Sequence, residues 1–170
     1  QLHREGWLGK IAKHSGEGTA NVGVIHGGDA TNVVTPLVTL RAEARSHNPV
    51  FRRKIVRAIE TAFTQAARSV RGSEGARGRI EFEGQLDYES FRLPEDSPSI
   101  HVAEEAIRAA GGQPVRAVAN GGLDANWMTA RGIPTVTLGS GQENPHTVAE
   151  RLNRAEFARA CEIAFRLTTG

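Results

Sequence analysis

Apolar and polar residues alternate twice within the first fifty residues, and this period of two predicts a pair of β-strands. Residues 19–25 carry an apolar residue at every second position and stop at the turn-forming sequence Gly27-Gly28-Asp29. Residues 33–45 repeat the alternation, with charged side chains on the opposite face. The two segments predict a hairpin with one buried side and one solvated side.

A long amphipathic helix is predicted after this hairpin. Asn48 and Pro49 suit the N-cap and the first helical position, and apolar residues then recur every three or four positions from Phe51 to Val70. Beyond a glycine-containing turn, residues 79–88 alternate again, which predicts a further strand. The first half therefore has the predicted order strand, strand, helix, strand.

The second half has a different pattern, in which helices and short apolar runs follow one another. The predicted elements are helix 98–110, strand 115–119, helix 123–131, strand 133–138 and a last helix that begins after Asn153. Both strands are apolar runs of the kind that a parallel sheet buries on its two faces. Because this order is typical of α/β proteins, we place a domain boundary near Arg92, between residues 1–91 and 92–170.

Composition restricts the classes of partner. The chain of 170 residues is 39% hydrophobic, carries a net charge of +2 and spreads its basic residues over its whole length. The sequence has no apolar run long enough to span a membrane, and its charge distribution does not indicate a nucleic-acid partner. The single Cys161 cannot form an internal disulfide, and its apolar helical context predicts a buried, unreactive thiol in a reducing cytoplasm.

Three polar loops could carry a functional site: residues 27–32, 120–126 and 139–147. The last two follow the predicted α/β strands, at whose carboxyl ends such proteins bind ligands. Simple turns, and an Asp124 that only caps a helix, are the alternative for the glycine-rich loops. His146 has no packing role in so polar a segment. It is therefore either a plain surface residue or a residue for metal binding or catalysis.

A complete catalytic centre is not visible in the sequence. A two-metal hydrolase needs several His and carboxylate ligands and a general base. The chain has no H-E-x-x-H, H-x-D or cysteine cluster, no G-x-S-x-G elbow and no P-loop. One histidine alone does not make an enzyme.

The motifs together resemble a known family, the co-catalytic zinc peptidases and amidohydrolases that include peptidase T, carboxypeptidase G, aminoacylase and succinyl-diaminopimelate desuccinylase. The segments ANVGVIHGG (residues 20–28), TNVV (31–34) and LRAEARS (40–46) look like the family's lid domain. The segments GGLDAN (121–126), RGIPT (131–135) and GSGQENPH (139–146) look like the last part of its catalytic domain. The similarity covers essentially the whole chain and is strongest with peptidase T-like members.

This resemblance implies an α/β protein overall. Residues 1–91 would be an α+β ferredoxin-like lid, an antiparallel sheet with two helices, and residues 92–170 the C-terminal part of an α/β zinc-peptidase catalytic domain. Residues 2–11 would be the end of the lid's first helix, and the lid's first strand would be missing. Because the lid mediates dimerisation in the family, the resemblance also implies a homodimer.

The resemblance also assigns residues. His146 matches the family's final metal-ligating histidine, Asn32 and Arg45 match lid residues that hold the substrate, and Gly121 and Gly122 match substrate-binding positions. Two zinc ions per active site are implied for the intact enzyme. The family's other ligands and its glutamate base precede the lid, so the resemblance implies no catalytic residue within this chain and no activity of the chain alone.

The expected function is therefore the C-terminal part of a peptidase T-like, zinc-dependent peptidase or amidohydrolase. Its substrate would be a small peptide or an N-acyl amino acid. The alternative is a non-catalytic dimerisation or binding module, which would bind no metal. An RNA-binding sheet is a third interpretation, but the predicted strands lack the aromatic residues on which such sheets stack bases.

Overall fold

The computed structural model describes residues 1–119 and 121–169, and it divides the chain into two compact units. Unit 1 is Gln1–Asp87 and unit 2 is Tyr88–Gly170. The described residues combine antiparallel sheet with four helices, which confirms the mixed α/β fold class. Asn120, which opens the second polar loop of the sequence, lies outside the described residues.

Unit 1 contains a three-stranded antiparallel sheet in the order β1-β2-β3. The strands are β1 Gly9–Lys13, β2 Gly16–His26 and β3 Thr39–Arg45. Strands β2 and β3 confirm the predicted hairpin, but the connection is longer than predicted. The last pair of the ladder is His26 with Thr39, so residues 27–38 form the loop. Pro36 in this segment has no N–H to give to a strand ladder, consistent with the late start of β3.

The chain opens with one helical turn that ends before β1. The N–H of Gly6 donates to the carbonyl oxygen of His3 at 3.0 Å, and that of Trp7 to Leu2 at 2.9 Å. Gly6 has φ +64°, so this is the Schellman arrangement that ends helices at a left-handed glycine. The expectation of a helix through residues 2–11 is therefore wrong beyond Gly6, because β1 occupies Gly9–Lys13.

Helix α1, Pro49–Ser69, begins as predicted. The Asn48 side chain accepts hydrogen bonds from the backbone N–H groups of Val50 and Phe51, at 2.9 and 3.1 Å. This cap satisfies two of the donors that a helix N-terminus leaves without intrahelical partners. The local sequence is thus sufficient to fix where α1 starts.

The core of unit 1 joins α1 to the sheet. Phe51 and Ile55 are fully buried and pack with Ile11 and Ala20 from β1 and β2. The Trp7 ring covers this cluster, with its centroid 6.2 Å from that of Phe51. Each fully buried Phe or Ile side chain contributes roughly 1.5–3 kcal/mol, so this small cluster holds the unit together.

Unit 2 contains three helices and a short hairpin. They are α2 Pro98–Ala109, α3 Asp124–Ala130, β4 Gln142–Glu143, β5 Arg151–Leu152 and α4 Arg154–Thr169. The three helices confirm the predicted ones, and α2 packs against α4. Cys161 on α4 is exposed, which corrects the prediction of a buried thiol. None of the helices in the described part of the chain has the length and apolarity to cross a membrane.

Three predicted strands are wrong. Residues 79–88, 115–119 and 133–138 belong to no strand ladder among the described residues. Several of their apolar side chains are exposed, with Val115 at 85% and Ile133 at 51%. An alternating or β-branched pattern shows that a segment suits a strand, but the strand forms only beside a hydrogen-bonded neighbour.

Candidate functional site

His146 lies in the loop of the β4–β5 hairpin. Gln142 pairs with Leu152 and Glu143 with Arg151, so residues 144–150 form the loop. The His146 side chain is exposed, and its backbone has φ +64°. Asn144 is also in this left-handed region, at φ +50°. Such a conformation costs a residue with a side chain roughly 1–2 kcal/mol, so other contacts of the hairpin offset the strain.

The Glu150 carboxylate supplies these contacts. Its Oε2 accepts a hydrogen bond from the backbone N–H of His146, and its Oε1 accepts one from Nε2 of Gln142, each at 2.7 Å. The His146 hydrogen bond, followed by that of Gln142, lowers the pKa of Glu150 because both favour the charged carboxylate. Sequence analysis missed Glu150, whose only signal is an acidic residue four positions after His146.

The metal expected at His146 can be tested against the donors present. The described residues contain no group of three or more His, Cys, Asp or Glu side chains placed to hold a metal ion. A zinc site takes three or four protein ligands. The exposed His146 imidazole could therefore serve as one of several metal ligands, but the described residues do not form a complete metal centre.

A concavity of about 480 Å³ borders the hairpin. It is lined by Ser140, Gln142, Glu150, Arg151 and Leu152. Glu150 belongs both to this wall and to the hydrogen bonds that hold the His146 loop.

Gly121 and Gly122 precede α3 in an exposed loop, but their surroundings differ. A methyl group on Gly122 would lie well inside van der Waals contact of the Tyr88 ring. Apart from its chain neighbours, a methyl group on Gly121 would meet no atom of the described residues within 4 Å. Tyr88 therefore requires glycine at position 122, whereas the chain beside Gly121 is open.

Asn126 is a residue that sequence analysis did not select. It is only 5% exposed, its Oδ1 accepts the N–H of Leu123 at 2.9 Å and its Nδ2 donates to the carbonyl oxygen of Glu89 at 2.8 Å. The available signal was the position of Asn126 three residues after the N-cap, where a polar side chain can accept a hydrogen bond from the N-cap backbone N–H. Its second hydrogen bond has no signal in the sequence.

Asn32 and Arg45 both lie in unit 1, Asn32 in the loop before β3 and Arg45 at the last residue of β3. Asn32 is exposed in the loop of residues 27–38, beyond the pair of His26 and Thr39. Arg45 lies opposite Thr19, six residues further along the strand, which is about 20 Å for an extended chain. The ladder of β2 and β3 therefore spans about 20 Å between the end next to the loop that carries Asn32 and the end that carries Arg45.

The Arg45 guanidinium is engaged by a neighbouring acid. Its Nε donates to Oε2 of Glu43 at 2.9 Å, and its Nη2 contacts the same oxygen. Arg45 and Glu43 are two residues apart on one strand and so share a face of the sheet. Any substrate carboxylate at Arg45 would compete with Glu43 for the same donors.

Comparison with known proteins agrees with the resemblance found in the sequence. Residues 4–169 match the model of peptidase family M20/M25/M40. The chain is 33% identical over 156 residues to the uncharacterized protein YqjE of Bacillus subtilis, covering 92% of this chain and 40% of that protein.

Two solved structures are also similar. A tripeptidase from Staphylococcus aureus shares 30% identity with a TM-score of 0.74, covering 98% of this chain and 42% of that one. The aminopeptidase PepT from Bacillus cereus shares 32% identity with a TM-score of 0.66, covering 94% and 40%. The chain thus spans about two fifths of the length of these relatives. Because the family model covers nearly all of it, this chain belongs to peptidase family M20/M25/M40.

Proposed function

We propose that this chain is part of a metal-dependent peptidase that hydrolyses a peptide bond in small peptides, and that it supplies His146 as one metal ligand. Membership of a peptidase family supports the reaction class, and the tripeptidase and PepT structures support small peptides as substrates. The observation that carries the proposal is the exposed imidazole of His146 on a hairpin whose backbone Glu150 fixes. An N-acyl amino acid is the second substrate class within this proposal.

In this proposal the two units have different roles. Unit 1 is the lid, which contacts substrate and forms a homodimer, and unit 2 is the C-terminal part of the catalytic domain. The three-stranded antiparallel sheet under α1 is consistent with a lid of this kind. The single Cys161, which cannot form an internal disulfide, supports a cytoplasmic location.

The chemistry divides between the metal and the residues of this chain. Two zinc ions, bound in the intact protein, would supply an activated water and polarise the scissile carbonyl. His146 would hold one ion through a neutral imidazole. Arg45 offers a planar fork to a substrate carboxylate, and Asn32 offers an amide donor to a carbonyl or oxyanion. Gly121 and Gly122 would let substrate approach the backbone closely.

The chain alone is expected to be inactive. Its described residues gather no set of three metal-ligating side chains, and a peptidase of this type needs several ligands and a general base. Its contribution therefore has to be measured in the intact protein.

The test is tripeptide hydrolysis by the intact protein, expressed from its complete reading frame, with zinc content measured on the same sample. His146→Ala should abolish hydrolysis and lower the bound zinc per subunit. His101→Ala is the matched control, because His101 is an exposed histidine on α2, and it should behave as wild type. Full activity of His146→Ala would overturn the role of His146, and no hydrolysis or zinc binding by wild type would favour a non-catalytic module.

A further inference from the structure

We propose that Asn126 is a positioning residue that holds the loop of residues 121–123 in place for substrate. The inference rests on the proposed function, in which Gly121 and Gly122 contact the substrate. It adds a residue that touches neither substrate nor metal, and a physical reason why the glycine loop has one defined position.

The buried amide of Asn126 joins two segments that are distant in sequence. Its Oδ1 accepts the N–H of Leu123, and its Nδ2 donates to the carbonyl oxygen of Glu89, 37 residues away. An amide that is 5% exposed and uses both of its ends is held in one orientation. The spacing between Leu123 and Glu89 is therefore set by one rigid side chain.

The segment that Asn126 anchors also forms a wall for the loop. Tyr88 directly precedes Glu89, and its ring lies against the α-carbon of Gly122, leaving no space for a methyl group there. The loop is thus fixed at Leu123 by a hydrogen bond and at Gly122 by an aromatic ring. At Gly121 the side where a side chain would lie is open, since no atom of the described residues lies within 4 Å of it apart from the chain neighbours.

Helix capping alone does not account for this arrangement. The backbone N–H of Asn126 already donates to the carbonyl oxygen of Leu123 at 3.0 Å, which closes the first turn of α3. The Nδ2 hydrogen bond to Glu89 adds no contact within the helix. Its effect is on the position of the loop relative to Tyr88, so losing this hydrogen bond should weaken substrate binding by the loop and raise KM.

The experiment compares tripeptide hydrolysis by the intact protein and three variants. Asn126→Asp retains the acceptor for Leu123 and loses the donor to Glu89, whereas Asn126→Ala loses both. We expect KM to rise about tenfold in Asn126→Asp with a smaller change in kcat, and more in Asn126→Ala. Ser97→Ala is the control, since it alters another buried polar residue of unit 2 at the start of α2 and should leave KM unchanged.

A second pair of variants keeps the test independent of the folding of the Asn126 variants. Tyr88→Ala removes the wall and should raise KM, whereas Tyr88→Phe retains the ring and should have the wild-type KM. Unchanged KM in Asn126→Asp and Tyr88→Ala, with an active wild type, overturns the positioning role and leaves the proposed function standing. If the wild type is inactive, the proposed function fails. The hydrogen bond from Leu123 to Asn126 is then tested by hydrogen exchange of the Leu123 amide. This exchange should be faster in Asn126→Ala than in wild type, and an unchanged rate would overturn the positioning role of Asn126.

Discussion

The backbone N–H of His146 donates a 2.7 Å hydrogen bond to Oε2 of Glu150, across a loop in which His146 has a left-handed backbone. The other carboxylate oxygen of Glu150 accepts from Gln142 on β4, so one side chain connects the strand to the strained turn. Glu150 therefore holds the stretch of backbone from which the His146 imidazole projects.

Glu150→Ala should loosen the His146 loop without removing the histidine. The amide of His146 loses its acceptor, so its hydrogen exchange should become faster. If His146 holds zinc as proposed, the zinc affinity of the intact protein should also fall by about 10–100-fold, as for other supporting residues of metal sites. Glu162→Ala is the control, because Glu162 forms an exposed ion pair with Arg166 on α4. Wild-type exchange and zinc affinity in Glu150→Ala would contradict this role.

Gly122→Ala should lower the free energy of unfolding more than Gly121→Ala, although both add the same methyl group. At position 122 the methyl overlaps the Tyr88 ring, and overpacking of this kind costs about 1–3 kcal/mol of unfolding free energy. At position 121 the space is open, so the change should stay within about 0.5 kcal/mol. Urea denaturation of both variants measures the difference.

A second background distinguishes a clash with the Tyr88 ring from a loop that tolerates no side chain at position 122 for other reasons. In a Tyr88→Ala background the ring is absent, so Gly122→Ala should cost much less than in the wild-type background. Equal costs in both backgrounds would show that the Tyr88 ring does not set the requirement for glycine.

Phe51→Ala should destabilise unit 1 far more than the same substitution at the neighbouring Val50. Phe51 is fully buried between α1 and the sheet, and truncation of a buried Phe costs about 3–5 kcal/mol because a cavity remains. Val50 is 55% exposed, so Val50→Ala should change the unfolding free energy by no more than about 0.5 kcal/mol. Similar midpoints of urea denaturation for the two variants would contradict the assignment of this core.

Local signals in the sequence predicted the helices well. The Asn48 cap and the Asn153 cap lie where predicted, because a cap depends on residues within one helical turn of each other. Strands depend on partners that are distant in sequence. The segments 115–119 and 133–138 have the right composition, but no neighbour in the described residues forms a ladder with them. The short strand β1, in contrast, was missed because GKIAK has little apolar pattern.

The site follows the same division. The sequence suggests His146 as a candidate ligand because a polar loop gives an imidazole no packing role and because its family motif is contiguous, and this role stays a prediction. Glu150 and Asn126 were not recognisable, since their importance lies in hydrogen bonds to backbone atoms that only the folded chain brings near them. The different surroundings of Gly121 and Gly122 likewise depend on Tyr88, more than thirty residues earlier.

Protonation of Glu104 on α2 should make unit 2 less stable at low pH. Its carboxylate accepts hydrogen bonds from Nε of Arg116 at 2.6 Å and from Nη2 of Arg108 at 3.3 Å. The Arg116 hydrogen bond is the main cause of the lowered pKa of Glu104, although partial desolvation opposes it. Because the unfolded chain binds this proton more readily, the stabilisation is complete above the ordinary Glu pKa of about 4.3 and is lost as pH falls through the lower folded-state value.

Glu104→Gln should remove this part of the pH dependence. The neutral amide cannot titrate, so the decrease in unfolding free energy as pH falls below the ordinary Glu pKa of about 4.3 should be less steep than in wild type. Glu105→Gln is the matched control, because Glu105 is the next residue of the same helix and is exposed, and its profile should follow that of wild type. Urea denaturation at a series of pH values measures the slopes. A Glu104→Gln profile parallel to that of wild type would show that the pair with Arg116 does not stabilise the fold.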